Sequence, residues 1–258
     1  MKLLLAIFAL LHPAMLIAAC SPPPVEQTEE KLKESEAAAK ASPMSDKAKF
    51  ELAQSLLGTA SSLRFRGKPA DIETAITHTS RALKISEELL KAAPKSQEVN
   101  LMGWQNAATL GELLDRRGQP GDKEKAFDYQ LRGLAFAEAL YKENPNLPNN
   151  AGALKQSYYA VINQYGARDA VGDRATAYVY GVKLFKLTKR HPIGVPGVDW
   201  VAHTAWVVAG LAEKAEKPET KKWQERAYDL FAAIEKSKAG LSPQEKSWME
   251  ELKKKLGK

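Results

Sequence analysis

Apolar residues recur at spacings of three and four along the chain from Ala48 onward. In "AKFELAQSLLGTASSL" they lie on one face of an amphipathic helix, at Phe50, Ala53, Leu56, Leu57, Ala60 and Leu63. A second segment, "ETAITHTSRALKISEELLKAAP", keeps this spacing and ends at Pro94. Glycine and proline interrupt the pattern at intervals that suit helices, and no convincing alternating strand pattern occurs between them. The pattern predicts an all-α fold.

The same interruptions repeat with a period of 51 residues. The segment "ALKISEELLKAAP" at 82–94 aligns with "GLAFAEALYKENP" at 133–145, so that the two stretches end at equivalent prolines. The shift also aligns Arg66-Gly67 with Arg117-Gly118, and Gly121-Asp122 with Gly172-Asp173. A weaker last unit runs from Asp199 to Leu252. The repeats predict about four antiparallel helix pairs.

The second repeat carries the signature positions of a known repeat type. Its first helix has Leu110-Gly111, Leu114 and Gly118, and its second has the small residues Ala126 and Gly133 before Pro145. These positions resemble tetratricopeptide repeats, although that family has a shorter period of about 34 residues. The resemblance implies an α-solenoid over residues 47–258 that binds a protein or peptide in a groove lined by first helices. An irregular helical bundle, similar by chance because Leu, Ala and Glu are abundant, is the alternative.

The resemblance also implies which side chains face the groove. Shifted onto this chain, these positions are Ser55 and Thr59, then Gln105, Glu112, Asp115 and Arg116, then Gln156, Tyr159 and Asn163, and lastly Thr204. Several such repeats clamp a terminal carboxylate with Lys, Arg and Asn, but acids, amides and a tyrosine favour a neutral, hydrogen-bonding groove instead. Each position could equally belong to an ordinary solvated face.

Two aromatic stretches lie near these positions. Tyr158 and Tyr165 share an apolar stripe at helical spacing and are predicted to point inward, whereas Tyr159 is predicted to point outward. Further along the chain, Trp200, His203 and Trp206 are predicted to fix the next helix in place. Neither stretch indicates catalysis.

The first 19 residues have the layout of a secretory signal peptide. Lys2 is followed by the apolar stretch "LLLAIFALLHPAMLIAA", which is too short to span a bilayer comfortably, and the small pair Ala18-Ala19 precedes Cys20. Because Cys20 is the only cysteine, it cannot form a disulfide within the chain. An ordinary buried thiol is also a poor explanation, since three prolines follow almost directly.

The sequence Ile17-Ala18-Ala19-Cys20 resembles the lipobox of bacterial lipoproteins, which is an apolar residue, two small residues and a cysteine. The resemblance implies that residues 1–19 are removed and that the Cys20 thiol receives a diacylglyceryl group, with the new amino terminus usually acylated as well. Two or three acyl chains form a firm membrane anchor. Ser21 after the cysteine favours the outer membrane in that family, with the body of the protein facing the periplasm.

The segment after Cys20, "SPPPVEQTEEKLKESEAAAKASPMSDK", is charged and lacks aromatic residues. Its composition predicts that residues 20–46 form a flexible or partly helical tether, with a solvated helix over Glu29–Lys40 as one option. A flexible tether of about 25 residues would have an end-to-end distance of roughly 25 to 30 Å. It would separate the body from the bilayer without fixing its orientation.

The composition limits the chemistry. The net charge of +7 arises from 38 basic and 31 acidic residues without a concentrated patch, so we expect no nucleic-acid partner. The mature chain has three histidines and lacks "HExxH", paired cysteines and phosphate-binding loops, so we expect no metal, no cofactor and no catalysis. The expected partners are the membrane, through lipid on Cys20, and an unidentified envelope protein or peptide. A helical cell-wall enzyme with an Asp/Glu pair assembled across helices is the alternative.

Overall fold

A computed structural model describes residues 22–192, 194–195, 198–237 and 240–258. The predicted signal peptide, Cys20 and Ser21 lie outside these residues. The helices are α1 (Val25–Ala41), α2 (Asp46–Arg66), α3 (Pro69–Ala92), α4 (Gln97–Arg117), α5 (Asp122–Glu143), α6 (Pro148–Arg168), α7 (Asp173–Arg190), α8 (Trp200–Lys214), α9 (Thr220–Glu235) and α10 (Pro243–Leu256). Two-residue strands, β1 (Gly194–Val195) and β2 (Val198–Asp199), form an antiparallel pair before α8.

The all-α prediction is confirmed, and so is the repeat of helix pairs. The four predicted pairs are α2 with α3, α4 with α5, α6 with α7, and α8 with α9. The chain divides into two compact units, Met1–Ser157 and Tyr158–Lys258, and α6 contributes to both. In the first unit, each of the helices α1 to α4 packs on the next helix in sequence, and in the second unit each of α7 to α9 does so. This consecutive packing is the arrangement of helical-repeat proteins.

An ion pair and a left-handed glycine in the turn after α4 explain why arginine, glycine and aspartate recur with the 51-residue period. Arg117 ends α4, and its guanidinium donates to the carboxylate of Asp122 at the start of α5, at 2.6 and 2.8 Å. The same carboxylate accepts the backbone N–H of Gln119 at 2.9 Å, which ties the turn to the start of α5. Between them, Gly118 adopts a left-handed conformation at φ 67°. The motif recurs at positions 51 residues away on either side, as Arg66 with Asp71 and Arg168 with Asp173.

The predicted small residues allow the helices of a pair to approach closely. A Cβ added at Gly133 of α5 would lie 3.6 Å from the Cβ of Ala107 on α4. Ala107 of α4 and Ala126 of α5 are both fully buried. The tetratricopeptide-like positions therefore pack as the resemblance implies.

The segment Val25–Ala41 is helical, which is one of the two options that its composition predicts, but it is not a free spacer. It forms helix α1, which packs on α2 through Val25 and Leu32, with exposed fractions of 5% and 6%. The Oγ atoms of Ser35 and Ser55 lie 2.7 Å apart, and the Thr59 hydroxyl donates to the carbonyl of Thr28. Charged residues dominate the composition of this segment, but they occupy only the outward faces of the helix.

Helix α1 corresponds to the second helix of a repeat. A shift of 51 residues aligns Ser35 with Ser86, and Ser86 is hydrogen-bonded to Asn106 as Ser35 is to Ser55. The same shift aligns the ion pair of Glu36 and Arg81 with that of Glu87 and Arg132. The apolar residues Ala82, Ile85 and Leu89 of α3 align with Lys31, Glu34 and Ala38 of α1. In α1 these three positions are exposed and form the outer face of the helix. A polar outer face is typical of the terminal helix of a repeat array.

Candidate binding surface

Three first helices are joined side by side in the first unit. An ion pair between Arg64 and Glu112 connects α2 with α4. Two hydrogen bonds connect α4 with the first half of α6: one between the side chains of Gln97 and Asn150, at 2.6 Å, and one from the Trp104 indole to the hydroxyl of Ser157, at 2.9 Å. Their exposed faces therefore form one surface held by direct contacts.

Three exposed glutamines stand at equivalent positions of this surface, and we call them the glutamine stripe: Gln54 of α2, Gln105 of α4 and Gln156 of α6. They are 51 residues apart in sequence. None of the three side-chain amides has a hydrogen-bond partner among the described residues. One helical turn after Gln54, the exposed residue Gly58 leaves space beside the amide, because a Cβ added there would meet no atom within 4 Å.

The predicted groove residues divide into exposed and buried groups. Gln105, Glu112, Asp115, Arg116 and Gln156 are exposed, and Asn163 is half-buried. Two of the charged members contact the neighbouring helix: Glu112 pairs with Arg64, and the Arg116 guanidinium donates to the Arg64 carbonyl at 2.8 Å. The amides of the stripe are therefore the exposed groups best placed to accept a partner.

The prediction was wrong for Ser55, Thr59 and Thr204, which are buried. Ser55 and Thr59 face the preceding helix, α1, because the outward position of α2 is one residue earlier, at Gln54. The sequence did contain a signal for Gln54, since it lies 51 residues before Gln105. Thr204 is fully buried in α8, where its hydroxyl donates to the carbonyls of Trp200 and Val201.

Tyr159 was also predicted to be exposed, but it is buried among aromatic residues of the second unit. Its hydroxyl lies 3.3 Å from Nδ1 of His203, and its ring meets Trp200 edge-on. Burial raises the pKa of the Tyr159 hydroxyl. The inward prediction is confirmed for Tyr158, with 7% exposed, whereas Tyr165 is half-buried.

His203 lies at the centre of this aromatic cluster. Its ring stacks on Trp206 and Trp248, with centroid distances of 6.0 and 4.9 Å. Burial lowers the pKa of its imidazole to about 4, so the ring is neutral at physiological pH. The prediction that Trp200, His203 and Trp206 fix α8 in place is confirmed. Their contacts are those of a core rather than of a ligand site.

Three buried carboxylates have an environment opposite to that of a general acid. Asp71, Asp122 and Asp173 each pair with an arginine that lowers the pKa of the carboxyl group, for Asp122 to about 2. Glycosidase acids require the opposite shift. Glu245 is buried because its carboxylate accepts the backbone N–H groups of Asp199 and Ser242. Within the described residues, no group of three His, Cys, Asp or Glu side chains is arranged to hold a metal ion.

An open pocket of about 350 Å³ lies in the second unit between the turn before α7 and the end of α8. Its lining includes Asp169 and Arg174, which form a bidentate ion pair at 2.7 and 2.9 Å. The side chains of Asp169 and Arg174 therefore already satisfy each other. Among the described helices, none is long and apolar enough to cross a membrane.

The fold is that of an all-α helical-repeat protein, a class that favours a scaffold or binding role. No known protein family matches the chain, and no curated protein matches its sequence. Among solved structures, the chain is similar to BtubC (BKLC) from P. vanneervenii, with 15% identity, a TM-score of 0.56, and coverage of 93% of this chain and 85% of that one. The de novo designed helical repeat protein DHR64 matches with 17% identity and a TM-score of 0.35, covering 89% of this chain and 94% of that one. At these identities the likeness to BtubC concerns the fold alone.

Proposed function

We propose that the chain is a lipid-anchored scaffold of the bacterial cell envelope that binds an extended segment of a partner protein along the glutamine stripe. The observation that carries the binding role is the repetition of an exposed amide, without a partner among the described residues, at the same position of three joined helices. A face that contacts only solvent does not require the same residue at the same position of each repeat. A surface that binds the same chemical group at regular intervals does require the same residue there.

The order of the stripe suits an extended polypeptide. Side chains connect α2 with α4 and α4 with α6 directly, so the three glutamines follow one another across one surface. A segment that crosses α2, α4 and α6 would thus meet one glutamine on each helix. Each glutamine amide both donates and accepts, as a peptide group does.

The surface favours uncharged hydrogen bonds to the backbone of the partner segment. Two charged residues on the same helix as Gln105, Glu112 and Arg116, already contact Arg64 of α2. Binding would therefore depend on hydrogen bonds rather than on net charge, and we expect it to change little with ionic strength. Gly58 has no side chain, which leaves room for the bound backbone to approach α2.

The anchor and the location rest on the sequence. The lipobox Ile17-Ala18-Ala19-Cys20 supports lipid attachment at Cys20 and removal of residues 1–19, and Ser21 supports the outer membrane, facing the periplasm. We propose no enzymatic activity, because the carboxylates with altered pKa values are all paired with arginines that lower them.

Replacing all three stripe residues, as Gln54→Ala, Gln105→Ala and Gln156→Ala, is expected to weaken partner binding by about a hundredfold. A neutral hydrogen bond contributes about 1 kcal/mol, and three of them correspond to roughly this factor. Crosslinking the anchored protein in cells identifies its partners, and titration of the identified segment with wild-type and triple-variant protein measures the loss.

The matched control replaces two exposed glutamines outside the stripe, Gln27→Ala on α1 and Gln244→Ala on α10, and should bind as the wild type does. Circular dichroism establishes that both variants remain folded. Equal binding by the triple variant and the wild type would exclude the stripe as the binding surface.

A further inference from the structure

The folded body begins almost immediately after the proposed lipid. The carbonyl of Pro23 accepts a hydrogen bond from the Ser62 hydroxyl of α2, at 2.8 Å. Two residues later, Val25 is buried against α2, and Glu26 pairs with Arg66 at 3.7 Å. The chain is therefore fixed to the first unit from Pro23 onward.

Only three peptide units separate Pro23 from Cys20. Even fully extended, they span at most about 11 Å. The composition predicts a flexible or partly helical tether instead, and a flexible tether of about 25 residues would let the body move and turn roughly 25 to 30 Å from the bilayer. The packing of α1 removes that freedom.

The point of attachment also defines which side of the first unit lies nearest to the lipid. The start of α1 adjoins the end of α2, where Ser62 and Arg66 contact it. The turn after α4 joins the same side, because Arg116 donates to the carbonyl of Arg64. We call this side the turn edge and define it as residues 64–70 and 116–121.

We propose that the turn edge rests on the phospholipid surface, held there by the short connection to lipidated Cys20. This inference rests on the lipid anchor of the proposed function. Phe65 lies in the turn edge with 69% of its surface exposed, and an apolar ring gains stability in the headgroup region. The acids Asp71 and Glu112 do not oppose this contact with anionic lipid, because they pair with Arg66 and Arg64.

This orientation gives the glutamine stripe a defined height. Gln54 and Gln105 each lie 12 residues before the arginine that ends their helix at the turn edge. At 1.5 Å per residue, this places both about 18 Å along the helix axes from the edge. A partner segment bound to the stripe would thus run alongside the membrane at a nearly constant distance from it.

The test uses the purified, acylated protein in phospholipid vesicles that contain lipids with a nitroxide quencher near the headgroup. The chain has no cysteine besides Cys20, so a new cysteine takes a single fluorescent label. Ala70→Cys places the label in the turn edge. Met44→Cys is the matched control, because Met44 is 88% exposed and follows the opposite end of the 17-residue helix α1.

Quenching is expected to be several-fold stronger at position 70 than at position 44. Inserting about 20 glycine and serine residues between Ser21 and Pro22, which allows a separation of roughly 25 Å, should reduce quenching at position 70 to the level at position 44. Equal quenching at the two positions, or quenching that survives the insertion, would overturn the inference. Mass spectrometry of the protein distinguishes failure of the turn-edge inference from failure of the lipid anchor, since an unmodified Cys20 would refute the proposed lipid attachment.

Discussion

In Cys20→Ala, the incorporation of labelled fatty acid into the protein is expected to fall to background, and the uncleaved precursor should replace the mature form. The thiol is the atom that receives the diacylglyceryl group, and cleavage before residue 20 depends on that modification in the lipoproteins whose lipobox the sequence resembles. Each buried methylene contributes about 0.8 kcal/mol to membrane binding, so two or three acyl chains form a firm anchor. The Cys20→Ala variant lacks this anchor. Metabolic labelling and apparent mass on a gel measure both effects.

The matched control is Ser21→Ala, which leaves the lipobox intact and should be acylated and cleaved as the wild type is. If Cys20→Ala keeps the label, the apparent mass and the membrane association of the wild type, the anchor at Cys20 is refuted. The glutamine stripe would be unaffected by that outcome, because it depends on the packing of α2, α4 and α6 alone.

The second unit is expected to lose about 3 kcal/mol of unfolding free energy as the pH falls from about 6.5 to about 4. The pKa of His203 is lowered by burial from 6.5 to about 4. As the pH falls, His203 therefore binds a proton in the unfolded chain before it does so in the folded protein. The contribution of neutral His203 to the unfolding free energy is complete above pH 6.5 and is lost as the pH falls through the pKa of His203 in the folded protein. One pKa unit corresponds to about 1.4 kcal/mol.

Denaturant unfolding at a series of pH values measures this dependence through tryptophan fluorescence, since four of the five tryptophans lie in the second unit. His203→Phe keeps a ring against Trp206 and Trp248 but cannot titrate, and should flatten the slope between pH 6.5 and pH 4 by close to one proton. The matched control, Tyr159→Phe, removes the hydroxyl contact with His203 and should keep the wild-type slope. An unchanged slope in His203→Phe would show that His203 does not govern this range.

The sequence predicted the helix pairs because their signals are local and repeat. Arg117, Gly118 and Asp122 form one short structural motif, and its recurrence at a distance of 51 residues indicates a repeat even without a matching family. Helix α1 was not predicted as part of the array because its buried face consists of little more than Val25 and Leu32 among many charged residues. Its equivalence to α3 is clear only when Ser35 and Glu36 are compared by contacts rather than by composition.

The binding surface was predicted only in part. Gln105 and Gln156 were identified, but Gln54 was missed because the family pattern was placed one residue too late on α2, at Ser55. That register error is invisible until the neighbouring α1 is known to cover Ser55. The burial of Tyr159 depends on Trp200 and His203, more than 40 residues away in sequence, and no local pattern reports such a contact.

The central claim is that a partner binds on the glutamine stripe of the anchored protein. Site-specific photocrosslinking in cells is its most direct test. A photoreactive amino acid at position 105 is compared with one at the exposed position Lys84 on second helix α3. We predict one discrete protein adduct from position 105, none from position 84, and loss of the adduct when Gln54→Ala and Gln156→Ala are combined with the probe. Equal adducts from both positions, or an adduct that survives the two substitutions, would contradict the claim.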